Sequence, residues 1–423
     1  MTVLPPGQHA ARADETIAVI GGGMAGALVA LEAADRGASV VLFEADSHVL
    51  RHASRVNEGK IHLGYVYAAD STGQTARRMI EGALAFRPII ERWVGARAFD
   101  AALTDPFDYL VPHDSQLSPE QLEAHLSAVD RLIAEASDGS RRYLGEGRLE
   151  PWQRLDPSPY RMGPRDVVAA YTTPERAVDT FALADAIAAA IHRHPRICIR
   201  LNSRVRRCSP RKGGWSIQCH GPAATDHGPF RQVVNAAWAG RRQIDRDSGF
   251  DDRADWFTRF KFGVNIETGP AGRDLRNMTA FLGTYGDLVT YPGGRAYLSW
   301  YPAGMVSATT GPDLRPPQLS PAETRRMHRE TVANLSRLYP ALSNLPVPDF
   351  DRPQTVSGGF IVARGTSDID DTKSQLHERH AIGLHRLAPG YFTLDTGKYT
   401  TAPALALATA DALLPRKVIH AVS

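Results

Sequence analysis

The sequence predicts an α/β protein, α+β overall, with one domain wound around a parallel sheet and a second built on an antiparallel mixed sheet. Three observations lead there. A short apolar strand, a glycine turn, a helix, a second strand and an acid follow one another within Thr16 to Glu44. Apolar and polar residues alternate through Asp255 to Val306, as strands of an antiparallel sheet do. The 423 residues also exceed what one hydrophobic core usually serves.

The first element, Thr16 to Ile20, is a β-branched and apolar run suited to a buried parallel strand. Gly21-Gly22-Gly23-Met24-Ala25-Gly26 follows. Gly21 permits a tight turn, Gly23 lets a pyrophosphate approach the backbone, and Gly26 allows the next helix to pack on the strands. Helix-start amides then face the phosphates. Ala27 to Arg36 is rich in alanine and leucine, and Gly37 stands where a left-handed cap is favoured. Ser39 to Phe43 is the second strand, and Glu44 ends it, 18 residues after Gly26. A carboxylate at that tip accepts hydrogen bonds from a ribose diol and repels a 2′-phosphate, which disfavours NADP. The unit is a Rossmann-type dinucleotide fingerprint, and alone it leaves NAD and FAD open.

Charge narrows the partners. The 49 basic and 46 acidic residues are interspersed, with a net charge of +3, so nucleic-acid binding gains no support. Met1 to Glu15 lacks the apolar core of a signal peptide, and residues 1–14 are expected to be a flexible tail. No long uncharged apolar run suggests a membrane span, and a cytoplasmic location is the default. The three cysteines, Cys198, Cys208 and Cys219, lack CxxC spacing and are expected to be core thiols.

Four stretches bear on the cofactor. Beyond Ile17 to Glu44 there is Ala53-Ser54-Arg55-Val56-Asn57-Glu58-Gly59-Lys60-Ile61-His62-Leu63-Gly64. A third stretch runs from Val178-Asp179 through the helix Phe181 to His192 and the strand around Ile197 to Val205. It ends in Gln232-Val233-Val234-Asn235-Ala236-Ala237-Trp238-Ala239-Gly240. The last is Gly390 to Pro403, with Asp395-Thr396-Gly397-Lys398-Tyr399-Thr400, before the helix Ala404 to Leu414. In this order the segments resemble the D-amino-acid oxidase superfamily, which includes glycine oxidase, sarcosine oxidase and L-2-hydroxyglutarate oxidase. Trp238 stands where that family has a glycine.

The resemblance implies FAD as cofactor, held by Gly21, Gly23, Met24, Ala25, Gly26, Glu44, Ala45, Ser54, Arg55, Asn57, Lys60, Ile61, Val205, Ala236, Ala237, Trp238, Gly397, Lys398, Tyr399 and Thr400. Residues 350–423 contain no cysteine, which removes a thioether link, so the FAD is expected to be noncovalent. It also implies a discontinuous FAD-binding domain made of residues 15–80, 164–242 and 353–418, with a substrate domain of 81–163 and 243–352. Within the latter, Phe107 to Pro159 is expected to hold short helices, Tyr291 to Arg295 a turn, and Pro321 to Leu338 a surface helix.

Flavin N5 accepts a hydride from a carbon bearing nitrogen or oxygen. The expected reaction is oxidation of a C–N bond of an amino acid or secondary amine, with oxygen or an electron carrier as the second partner. The alternatives are 2-hydroxyacid oxidation and FAD binding without turnover. His62 is the candidate base, since alcohols need a proton acceptor and the 2-hydroxyacid branch has a similar string. Arg364 and Tyr301 are the candidates for holding a substrate carboxylate, with Tyr291 and Arg295 behind them. Lys261 is the candidate for electrostatic help, against a position in solvent at a sheet edge. Asp368 to Asp371 lacks the glycine and distal glutamate of an EF-hand loop and is expected to be a solvated turn, with no metal site.

Overall fold

The computed structural model describes residues 16–415 except 139, 164–165, 222–225, 252–253, 284, 312–313 and 372; the expected tail at 1–14 and the domain limits at 15, 164 and 418 lie outside them. Six strands form one sheet in the order Gly383–Ala388, Tyr391–Asp395, Gln232–Asn235, Thr16–Ile20, Ser39–Phe43, Ile197–Arg200. All neighbours are parallel except the edge hairpin at 383–395. The four inner strands are buried on both faces and mostly apolar, as parallel strands require. The fingerprint strands fall at the expected bounds, Thr16–Ile20 and Ser39–Phe43.

The helix Met24–Asp35 begins three residues earlier than its alanine run and is buried nearly all round. It packs between Ala402–Leu413 and Thr180–Arg193. A helix apolar on every side needs such company. The Asp179 carboxylate caps Thr180–Arg193, accepting from the amides of Phe181 at 2.9 Å and Ala182 at 3.2 Å.

The nine-stranded sheet is antiparallel apart from Asn277–Ala280 on Phe107–Val111. Its longest strand, Trp256–Glu267, pairs with Arg295–Trp300, Met305–Thr309 and Val356–Arg364. The sheet therefore draws on stretches expected elsewhere: Ala169–Thr173 pairs with Phe107–Val111, and Val356–Arg364 with Trp256–Glu267. Sequence order could not reveal this, because strand pairing follows register and burial rather than chain continuity.

Two other differences are local. Phe107 to Pro159 holds one long helix, Pro119–Ala136, started by a capping box between Ser118 and Gln121. Its alternation of acids and apolar residues is amphipathic spacing, not a mixture of short turns. Cys208 and Cys219 are buried, but Cys198 is exposed, because Ile197–Arg200 is an edge strand with one face in solvent. The helix Pro321–Leu338 has the expected bounds and buries Met327, Leu335 and Leu338 while its other side stays wet.

Candidate active site

A cavity of about 1070 Å³ runs from Glu44 and the glycine turn to Tyr301 and Arg379. That is the upper end of the range for ligand pockets. Its first half is a cradle of backbone. Gly21 has φ +97°, and a Cβ there would stand 2.8 Å from the carbonyl oxygen of Ala236. A Cβ on Gly26 would lie 1.9 Å from the carbonyl oxygen of Gly21. The helix behind has Gly23 at its cap, no side-chain cap bond and no acid in its first turn, so its positive end faces the cavity without an anion. Ser54 Oγ, which accepts from the Met24 amide at 2.7 Å, fastens the 45–57 loop to this helix start. Glu44 accepts from the amides of Gly22 at 2.7 Å and Asp46 at 2.8 Å, which fixes its carboxylate at the rim.

These features fit a bound dinucleotide: glycines where side chains would fill the cradle, helix amides for a diphosphate, and a carboxylate set for ribose hydroxyls. Most residues assigned to the cofactor line the cavity: Gly21, Gly23, Met24, Ala25, Glu44, Ala45, Ser54, Asn57, Lys60, Val205, Ala236, Ala237, Trp238, Gly397, Lys398 and Tyr399. Four do not. Gly26 and Ile61 are buried in packing, Arg55 pairs with Asp185 and lies over Phe181, and Thr400 Oγ1 joins the amide of His62 to the carbonyl of Lys60. Lys60 reaches the cavity wall, yet its Nζ turns to Thr279 and Asp287 over the Phe107 ring.

Trp238 has φ +49°, a left-handed conformation that bulky residues rarely adopt. The family's glycine has no such difficulty there. The indole compensates in part, since Nε1 donates to the carbonyl of Phe360 at 2.8 Å.

The second half of the cavity is a chamber of charged side chains. His62 is 5 % exposed, and its Nδ1 lies 3.2 Å from Glu175 Oε1. Burial lowers the imidazole pKa below its ordinary value, and Glu175 only partly opposes this, so His62 is neutral at pH 7. Glu175 is fully buried; it accepts from the Leu63 amide at 2.8 Å and from the Tyr109 hydroxyl. On the other ring nitrogen, Nε2, Glu58 stands 4.0 Å away.

Lys261 does not point to solvent. It is 13 % exposed and its Nζ lies 3.8 Å from Asp287, which Lys60 approaches at 3.6 Å. Burial would raise the Asp287 pKa, but the two lysines outweigh it and hold that carboxyl at about 2. Lys398 is pushed down to about 8, by burial first and then by the Arg379 charge.

Tyr301 lines the cavity as expected, but its arginine is Arg259 rather than Arg364. Arg259 Nη1 donates to Asp368 at 2.8 Å, and the Tyr301 hydroxyl donates to the same oxygen at 3.0 Å. Asp368 is therefore an ion-pair partner and not a solvated turn residue. Arg364 is exposed and stacks on Trp256 at 5.3 Å, outside the cavity. Paired residues share a face of a sheet, and Arg364 pairs with Trp256, so Arg259, three positions along, projects from the other face. Tyr291 and Arg295 also lie away from the cavity; Arg295 spans Phe181 and Tyr291 and pairs with Asp179.

Sequence reasoning missed Arg259, Glu175, Glu58, Asp287, Tyr67 and Arg379. A signal existed for one of them: Arg259 shares with Lys261 an alternate position of the run Thr258-Arg259-Phe260-Lys261-Phe262, two cations on one strand face. Among the described residues no cluster of acids, histidines and cysteines suits a metal ion, and no helix is long and apolar enough to cross a membrane.

The sequence matches the family described as FAD dependent oxidoreductase (DAO) over residues 16–412. Glycine oxidase from Geobacillus kaustophilus has a similar structure, with TM-score 0.67, 16 % identity and 93 % of each chain covered. L-proline dehydrogenase from P. horikoshii gives 0.64 and 16 %, covering 94 % of this chain and 93 % of that one. L-alpha-glycerophosphate oxidase from Mycoplasma pneumoniae, solved with FAD bound, gives 0.62 and 17 %, covering 95 % and 96 %. At such identities the likeness shows the fold. No curated protein matches the sequence.

Proposed function

The chain belongs to the DAO family of FAD-dependent oxidoreductases, and from that premise we propose that it oxidises a C–N bond of an amino acid or secondary amine. FAD, held without a covalent link by the cradle from Gly21 to Glu44 and by Gly397 and Lys398, would supply the acceptor for a hydride from the carbon beside nitrogen, with oxygen as the final oxidant. The observation that carries the reading is the chamber wall around Arg259, whose Nε is buried and has no hydrogen-bond partner beside Tyr301. A guanidinium with a spare donor and a tyrosine hydroxyl next to it form a seat for the substrate's carboxylate. The surrounding burial excludes water, and the anchored acid holds the reacting carbon in one orientation.

Lys398, at the loop before Ala402–Leu413, places positive charge where the resemblance puts the pyrimidine end of the flavin. A neutral His62 beside Glu175 supports a second reading, 2-hydroxyacid oxidation, because an alcohol must lose its hydroxyl proton as the hydride leaves. Convergent polar groups of this kind have no use in a protein that binds FAD without turnover.

Anaerobic mixing of the yellow holoenzyme with amino acids, secondary amines and 2-hydroxyacids tests the proposal. Amines bleach the flavin and, on admission of air, yield hydrogen peroxide. Bleaching by hydroxyacids alone establishes the second reading, and bleaching without peroxide replaces oxygen by a carrier. Yellow colour that stays with acid-precipitated protein overturns noncovalent binding.

A further inference from the structure

The chamber contains an arginine that no described side chain pairs with. Arg379 is 6 % exposed and lines the cavity, yet it takes part in no ion pair among the described residues. Its backbone is fixed by a bond from its amide to Thr75 Oγ1 at 2.9 Å, while its guanidinium makes one long contact, Nη1 to the carbonyl of Val362 at 3.5 Å. Asp395, the acid whose charge it feels, is already engaged by Arg241 at 3.5 Å. A guanidinium carries five donors, and buried charges are paired in folded proteins.

Tyr67 adds a second observation. Its hydroxyl is buried without a hydrogen-bond partner, and its ring lines the cavity 5.4 Å from the His62 ring. A buried hydroxyl with no partner and a guanidinium with one long contact, both lining one cavity, call for a ligand. Arg259 is among the charges that lower the Arg379 pKa to about 10, after burial itself. Both arginines line the same cavity, so a molecule held there can reach each of them.

We infer that Arg379 and Tyr67 form a second acid-group seat, so that the substrate is an amine carrying two acidic groups, one at Arg259 and Tyr301 and one at Arg379 and Tyr67. The inference rests on the proposed function for the amine and for the first seat. The recognised chemistry is an oxyanion, either carboxylate or phosphate.

Perturbation of the flavin spectrum by non-reacting acids tests the seat without turnover. Holoenzyme is titrated with malonate, succinate and glutarate, with the monoamide of each, and with 3-phosphonopropionate. At least one diacid binds about 10- to 100-fold more tightly than its monoamide, the size of a charge-assisted contact, and preference for 3-phosphonopropionate identifies phosphate. In Arg379→Gln the diacid falls to the affinity of the monoamide, and Tyr67→Phe weakens it severalfold. Equal binding of every diacid and its monoamide overturns the inference, as does a preference that survives Arg379→Gln. Should that variant lose FAD, Arg379→Lys and Tyr67→Phe decide, because one keeps the charge and the other removes a single hydroxyl. If the diacid preference holds but no amine bleaches the flavin, the proposed function fails and the seat stands.

Discussion

The two ends of the cavity are made of different material. At the glycine end, Gly21, Gly23 and Gly26 lie within six consecutive positions and act through backbone, and Glu44 is held by amides of its own turn and of Gly22. At the other end Arg259 meets Asp368 across 109 positions, and Leu63 meets Glu175 across 112. The first arrangement is a local conformational rule; the second exists only after two sheets have assembled. Changes at the cradle should therefore act on cofactor and fold together, whereas changes in the chamber should act on chemistry with the flavin in place.

Gly26→Ala should give the largest effect. Its Cβ would meet backbone at 1.9 Å, so the helix must move off the strand. We expect a loss of about 3 kcal/mol, the upper part of the range for overpacking, and little bound FAD, read by thermal denaturation and absorbance. A stable yellow variant would break the comparison.

His62→Asn comes next. If this histidine takes the substrate proton, single-turnover flavin reduction drops by about 10² to 10⁴ while FAD stays bound. The folded pKa of His62 is lowered, so the active neutral form is lost only as pH falls below the ordinary histidine range. Glu175 favours the charged ring, so Glu175→Gln should move that acid limb to still lower pH. Reduction rates that are unchanged in His62→Asn at every pH would sink the base assignment.

A smaller effect is expected at Lys398. It is charged below about pH 8 and loses the charge above it. Flavin reduction supported by that charge should decline as pH rises through about 8, and Lys398→Met should remove the decline and lower the pH 7 rate about tenfold. A matching decline in wild type and variant assigns the limb to another group.

Arg364→Ala should be the mildest. It removes an exposed contact with Trp256, for which about 0.5 to 1 kcal/mol is expected, and flavin bleaching should not change. A lost reaction would return Arg364 to the chamber.

The same contrast explains what the sequence could reveal. The cradle was legible because strand, turn and helix follow from neighbouring residues, and the bounds Thr16–Ile20, Ser39–Phe43 and Pro321–Leu338 were met. Tyr301 and His62, both named from the sequence, line the cavity. Arg364 was named and Arg259 was not, since both sit in β-patterned runs and only the register of Trp256 against Arg364 decides which face each takes. For Lys261 the sequence leaves electrostatic help and a solvent position both open, because its acid, Asp287, lies on a different strand. Arg379 and Tyr67 left no periodic mark at all, since one follows a short turn and the other stands in a loop.

Trp238 has a consequence for how such a site changes over generations. Its backbone conformation costs any residue with a side chain about 1 kcal/mol or more, and the indole recovers part of that through Phe360. Alanine or valine at this position would keep the strain and lose the bond. Glycine and tryptophan are thus two different answers to one backbone conformation, the first removing the strain and the second offsetting it with a bond.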